Sequence, residues 1–241
     1  MSQLRSTSDQ SGQQSGSGEV KIGDIPAYPD IGEFASSRAE IIDIGLGTLV
    51  GSGASRHVLE HGLVTAYIAD LLCSAAEKSG RDLDLSVVVQ AALLHDIGRT
   101  FSKGVDHGIR GAEYLARLGF SSSVCLAVER HVGAGITTSQ AKLLGLPERD
   151  YVPLTLEEKL VSFADKLVEG VNVLGPDHVL ARFRKEFGEG SEQLALAQNL
   201  VIEMRPIYEV SKVPSLIGWK SPARLSIFKR PDGSFRIVRE C

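Results

Sequence analysis

The chain has 241 residues, 43% of them hydrophobic, and a formal charge of −4 from 26 Lys and Arg against 30 Asp and Glu. That suffices for one sizeable core with appendages, and the acid excess, with a sequence pI of about 5.9, argues against nucleic-acid binding through bulk charge. Cys73, Cys125 and Cys241 are odd in number, far apart and without Cys-x-x-Cys spacing; with no signal-like start and no uninterrupted apolar run of about 18 residues, they lead to the expectation of a reduced, cytoplasmic protein without a membrane segment.

Residues 2–18 are mostly Ser, Gln and Gly, too poor in apolar side chains to offset ordering entropy, and read as a disordered tail. Val20 to Ser36, with Pro26, Pro29 and several glycines, reads as a loosely packed lead-in. A first helix is expected over about 37–50, ended by Gly51-Ser52-Gly53. A second runs from near Ser55 to Lys78, its apolar stripe of Val64, Ile68, Leu72 and Ala75 also carrying His61, which therefore points inward. A third, Leu85 to Ile97, is greasy nearly all round and closes on the adjacent pair His95-Asp96 before Gly98. An ionised carboxylate there costs several kcal/mol unless it is paired or holds a metal. Taken alone, the dipeptide reads as a satisfied core histidine beside a capping or ion-pairing aspartate.

A fourth helix spans about Asp106 to Leu118, with His107 in its first turn. A fifth follows Ser121-Ser122-Ser123 as N-cap and ends on His131 before Gly133-Ala134-Gly135. After a short helix near 139–144, Thr155-Leu156-Glu157-Glu158 reads as a capping box that starts a long helix, in which Val161, Asp165 and Val168 share the inner face. Helices over about 177–187 and 191–205 follow, the second interrupted by Pro206. Leu225–Lys229 and Phe235–Arg239 then alternate around Pro231-Asp232-Gly233-Ser234 as a β-hairpin. The fold expected is all-α: a helical bundle with a small C-terminal hairpin, divided into a tail and lead-in (1–36), a helical domain (37–208) and a C-terminal extension (209–241). That extension has a local charge excess of +4 from Glu209 onward, which is most simply a charged hairpin surface.

Four histidines and two carboxylates, His61, His95, Asp96, His107, His131 and Asp165, thus lie on or beside apolar faces of separate helices. Such a set makes sense as one metal cluster. Imidazole with carboxylate suits Mn, Fe, Co, Ni or Zn, and six ligands can hold one or two ions with room for water and substrate.

These residues and their order resemble the HD superfamily of metal-dependent phosphohydrolases over about His57 to Glu169. His61, His95-Asp96-Ile97-Gly98 and Asp165 in Ala-Asp-Lys match the four basic ligands; His107 and His131 match the extra histidines of two-metal members. Arg99 stands where many members have lysine. Val132, and the absence of a Gly-Tyr-Pro signature, separate the chain from the cyclic-dinucleotide phosphodiesterase branch.

The resemblance implies hydrolysis of a phosphomonoester or phosphodiester in a small, nucleotide-like molecule. Divalent metals would activate water, Asp96 would bridge them, Arg99, Lys103 and Lys166 would hold the phosphate, and His107 and His131 would serve as acid or phosphate donors if one ion binds. An oxidative di-iron enzyme of the same superfamily and a non-catalytic, nucleotide-sensing metal module are the alternatives. His57 reads as a pocket-edge residue and His178 as an exposed helix start. Phe101 and Tyr114 either stack on a base or pack in the core.

Overall fold

The protein, seen as a computed structural model, is described over residues 18–219 and 223–239. The expected tail over 2–18, apart from Gly18, and Cys241 lie outside the described residues. As expected, helices dominate, and the core centres on the helix whose sequence is greasy all round. This α4 (Leu85–Leu94) starts at Asp84, whose carboxylate accepts the backbone N–H groups of Ser86 and Val87 at 3.0 and 3.3 Å. It packs against α2 (Ala39–Ser52), α3 (Arg56–Lys78), α6 (Ser122–Arg130) and α8 (Leu156–Lys166). Val88, Val89, Ala91, Ala92, Leu93 and Leu94 are fully buried. Helical geometry stops at Leu94, three residues short of the expected end, and a 3₁₀ turn over Ile97–Thr100 follows. His95 Nδ1 bonds the Ala92 carbonyl at 2.7 Å at this exit.

Gly62 on α3 marks a close backbone crossing over α4. A Cβ there would collide with the Leu93 carbonyl oxygen, so the glycine permits the close approach. By length and composition α3 passes for a membrane span, but 83% of its apolar window is buried inside the protein.

Residues 20–36 depart from the loose lead-in expected of them. Val20–Pro26 forms β1, antiparallel to β4 (Arg224–Lys229), which pairs in turn with β5 (Phe235–Arg239), giving the sheet order β1-β4-β5. The hairpin expected from sequence is thus present, with β4 central. Asp24 ties this sheet to α3: its backbone N–H donates to Glu60 Oε1 at 2.6 Å, and its carboxylate accepts Ser226 Oγ at 2.6 Å and Arg56 Nη2 at 2.5 Å. Helix α1 (Ile31–Ser37) then buries Ile31 and Phe34 beside Tyr28. The strand partner lies some two hundred residues away in sequence, beyond the reach of local pattern.

Two further expectations change at helix ends. The helix expected to stop at Pro206 runs unbroken as α10 (Glu192–Val210). The N–H that Pro206 lacks would have bonded the carbonyl of Ile202, a residue 70% exposed and so on the solvent side of the helix. The helix from Thr155 is shorter than expected, ending at Lys166, with Val168 in a two-residue ladder between β2 (Val168–Glu169) and β3 (Asn172–Val173). Thr155 does accept the Glu158 N–H, at 3.3 Å, but the Glu158 side chain turns to Arg130 and to the Leu154 N–H instead of closing the box. A full capping box forms at Thr137 and Gln140, opening α7 (Thr138–Leu143).

Gly62→Ala is expected to lower unfolding free energy in urea by about 1–3 kcal/mol through overpacking. Gly51→Ala, in α2 with nothing within 4 Å of an added Cβ, should raise it by up to about 1 kcal/mol through helix propensity.

Candidate metal centre

Five helices deliver the polar cluster into the core. His61 comes from the second turn of α3, and His95 and Asp96 from the exit of α4. His107 opens α5 (His107–Arg117), His131 caps α6, and Asp165 sits in the last turn of α8. The exit turn rests directly on α5: a Cβ at Gly98 would collide with the His107 carbonyl oxygen and lie 2.7 Å from the Gly111 nitrogen. Only glycine admits the contact that sets Asp96 beside His107.

The rings form a row. Centroids are 5.0 Å apart for His61 and His95, 4.9 Å for His95 and His131, and 5.0 Å for His131 and His107. Asp165 Oδ1 flanks one half, 3.1 Å from His61 Nε2 and 3.3 Å from His95 Nε2. Asp96 flanks the other: Oδ1 is 3.3 Å from His107 Nε2 and 3.6 Å from His131 Nε2, and Oδ2 is 3.8 Å from His95 Nε2. All four rings are buried.

Each ring is oriented by the backbone. The Nδ1 atoms of His61, His95, His107 and His131 lie 2.8, 2.7, 2.7 and 2.6 Å from the carbonyls of Gly170, Ala92, Gly104 and Val128. A carbonyl only accepts, so each Nδ1 donates its proton and the neutral ring keeps its lone pair on Nε2. Those lone pairs converge, and the Nε2 atoms of His107 and His131 are only 3.1 Å apart. Two such acceptors repel unless a cation lies between or beside them. A divalent metal supplies it, and backbone-oriented imidazoles are the usual support for a metal ligand. The donor set therefore fits a metal: His61, His95 and Asp165 form one group that could hold an ion, and His95, Asp96 and His131 another, with ligand atoms in each within 4.8 Å of one another.

Electrostatics follow from this packing. Burial opposes the charge on Asp96, yet His95, His107 and His131 hold its carboxyl well below the usual range. Asp165 is held down likewise, against burial, by Lys166, His95 and His61. Burial also opposes charging of His95, but Asp165 and Asp96 raise it. Burial lowers His131 to about 4, its contact with Asp96 being offset by the other histidines. His131 is thus neutral at physiological pH.

Of the cations expected at the phosphate, Arg99 Nε donates to Asp96 Oδ1 at 2.7 Å and Lys166 Nζ bonds Asp165 Oδ2. Lys103 has no ion pair among the described residues. All three line a cleft of about 530 Å³ that also reaches His107. His57 is exposed and lies alongside His61, with ring centroids 6.3 Å apart. His178 is exposed at the start of α9 (Pro176–Phe187). Phe101 and Tyr114 pack on each other, centroids 4.9 Å apart, and do not line the cleft.

Sequence reasoning missed the ion pair that holds two ligand-bearing helices together. Arg130 Nη1 donates to both carboxylate oxygens of Glu158, at 3.0 and 2.9 Å, fixing α6 beside α8 and hence His131 relative to Asp165. Glu158 had an apparent local role as capping residue, which hid its distant partner.

The HD domain family profile matches residues 58–169. An uncharacterized protein of Methanocaldococcus jannaschii is 44% identical over 135 residues, which are 56% of this chain and 80% of that protein. The chain belongs to the HD domain family. A tRNA (cytidine(56)-2'-O)-methyltransferase of Thermoplasma volcanium is 38% identical over 151 residues, 62% of this chain and 43% of the relative, so the chain spans less than half of that protein. Among solved structures, the HD domain of the L. monocytogenes phosphodiesterase PgpH shares 17% identity, covering 63% of this chain and 93% of that one, with a TM-score of 0.37.

Glu158→Ala leaves the half-buried Arg130 without its counter-charge and should cost about 2–4 kcal/mol in urea unfolding. Combining Arg130→Met with Glu158→Leu should recover most of that loss. Equal stability of the single variant and the wild type would contradict the assignment.

Proposed function

We propose that the protein is a metal-dependent phosphohydrolase that cleaves a phosphomonoester or phosphodiester in a small, nucleotide-like molecule. The observation that carries this reading is the convergence of four imidazole Nε2 atoms and two carboxylates beside a cation-lined cleft that reaches the cluster at His107. His61, His95 and Asp165 would hold one divalent ion. Asp96 and His131, with His107 beside them, would hold a second, because His95 has a single free Nε2 to give. Bound metal of the Mn, Fe, Co, Ni or Zn type supplies Lewis-acid activation of water and neutralises charge on the phosphoryl oxygens.

The chain's own residues do the rest. Lys103, which has no ion pair among the described residues, binds the phosphate. Arg99 and Lys166 meet it once metal takes over neutralising Asp96 and Asp165. Water adds to phosphorus, the bond to the leaving oxygen breaks, and that oxygen takes up a proton. With a single ion bound, His107 or His131 would deliver that proton or donate to the phosphate only after first taking one up on Nε2, because the neutral ring has no proton there to give. The two buried, free cysteines among the described residues, Cys73 and Cys125, are in keeping with a reducing, cytoplasmic setting.

The test pairs metal analysis of protein purified without chelator with a phosphatase and phosphodiesterase screen in Mn, Co, Ni and Mg. About one or two transition metals per chain with ester turnover, lost in EDTA, is the expected result. Asp96→Ala should lose bound metal and turnover together. Full turnover in that variant would overturn the site, and two irons with oxygen consumption but no ester turnover would make the chain an oxygenase.

A further inference from the structure

Beyond the family segment, α9 closes the far side of the cleft and changes its chemistry. Four cations, Arg99, Lys103, Lys166 and Arg182, line the cleft against one acidic side chain, Glu186, so the ligand is anionic. The lining also carries exposed apolar side chains: Val105, Leu144 and Phe187, from a loop and two different helix ends, are 42%, 49% and 41% exposed and all line this one cavity.

Phe187 is built in rather than stray. It packs on Phe183 one turn earlier, centroids 5.6 Å apart, and Phe183 is itself only 4% exposed. Gly188, at φ 87°, ends the helix directly after it, so the ring is held with one face open. Arg182 lies 3.7 Å from Glu169, the neighbour of the Gly170 whose carbonyl bonds His61, in a long pair with a largely exposed acid, which is a weak tie. Residues 182 and 187 are about 7.5 Å apart along a helix axis, a span that a ribose bridges. Gln140 and Gln193 line the same cavity and offer amide partners to the polar edge of a ring, which an alkyl chain would leave unused.

We infer that α9 is the specificity wall of this site: Phe187 stacks on the base of a nucleoside monophosphate while Arg182 binds its phosphate with Lys103. This inference deepens the phosphohydrolase reading and rests on it for the orientation of the ligand.

The experiment is equilibrium dialysis of the purified full chain against non-hydrolysable 5′-methylenephosphonate analogues of the four ribonucleoside monophosphates and of ribose 5-phosphate. At least one nucleoside analogue should bind roughly tenfold more tightly than the ribose analogue. Phe187→Ala should erase that preference and Phe187→Tyr keep it, while Arg182→Ala should weaken the ribose and nucleoside analogues alike. Equal binding of ribose and nucleoside analogues, or a preference that survives Phe187→Ala, would overturn the assignment. So would a pentaribonucleotide that outbinds every mononucleotide without needing Phe187, which would make the ligand RNA. Failure of the metal-loaded protein to hydrolyse p-nitrophenyl phosphate or bis-p-nitrophenyl phosphate would count against the phosphohydrolase reading and leave the binding result standing.

Discussion

The constraint on which the centre depends is a set of four backbone hydrogen bonds. By taking the Nδ1 protons of His61, His95, His107 and His131, four main-chain carbonyls oblige four Nε2 lone pairs to face one another in a dry interior. An apolar core does not tolerate such an arrangement for its own sake, because unpaired acceptors there cost free energy with nothing returned. The cluster makes physical sense around a cation. Arg99 and Lys166 partly neutralise the two carboxylates from outside, and they do nothing for the 3.1 Å approach of His107 to His131.

The fold holds this arrangement by surrounding one helix. Buried on all sides, α4 can end only where its neighbours end, so its exit, the start of α5 and the ends of α6 and α8 come together. Gly62 and Gly98 set how closely those elements approach, and the Arg130–Glu158 pair holds α6 to α8. The N-terminal strand and C-terminal hairpin lie outside this arrangement and brace α3 through Asp24.

Much of this was legible in the sequence because it was local. The greasy run before His95-Asp96, the Ser55 and Ser121 caps and the helical spacing of His61 are short-range signals that physics reads in the same way as structure. What escaped was long-range or contested. β1 needs a partner two hundred residues on, Pro206 falls opposite an exposed residue, Ile202, and Glu158 abandons a plausible capping box for the distant Arg130. The aromatic side chain of the cleft also escaped. Phe101 and Tyr114 stand near the motifs in sequence, whereas Phe187 reaches the cleft from α9, outside the segment that carries the family likeness.

The most direct test of the central claim is a long-range ¹H–¹⁵N correlation spectrum of the histidine side chains, recorded on metal-free protein and again after adding a diamagnetic divalent metal such as zinc. The account predicts Nδ1–H tautomers for His61, His95, His107 and His131 wherever they are neutral, with their Nε2 resonances moving on metal addition while those of His178 stay in place. Nε2–H tautomers in the cluster, or Nε2 signals indifferent to metal, would contradict it.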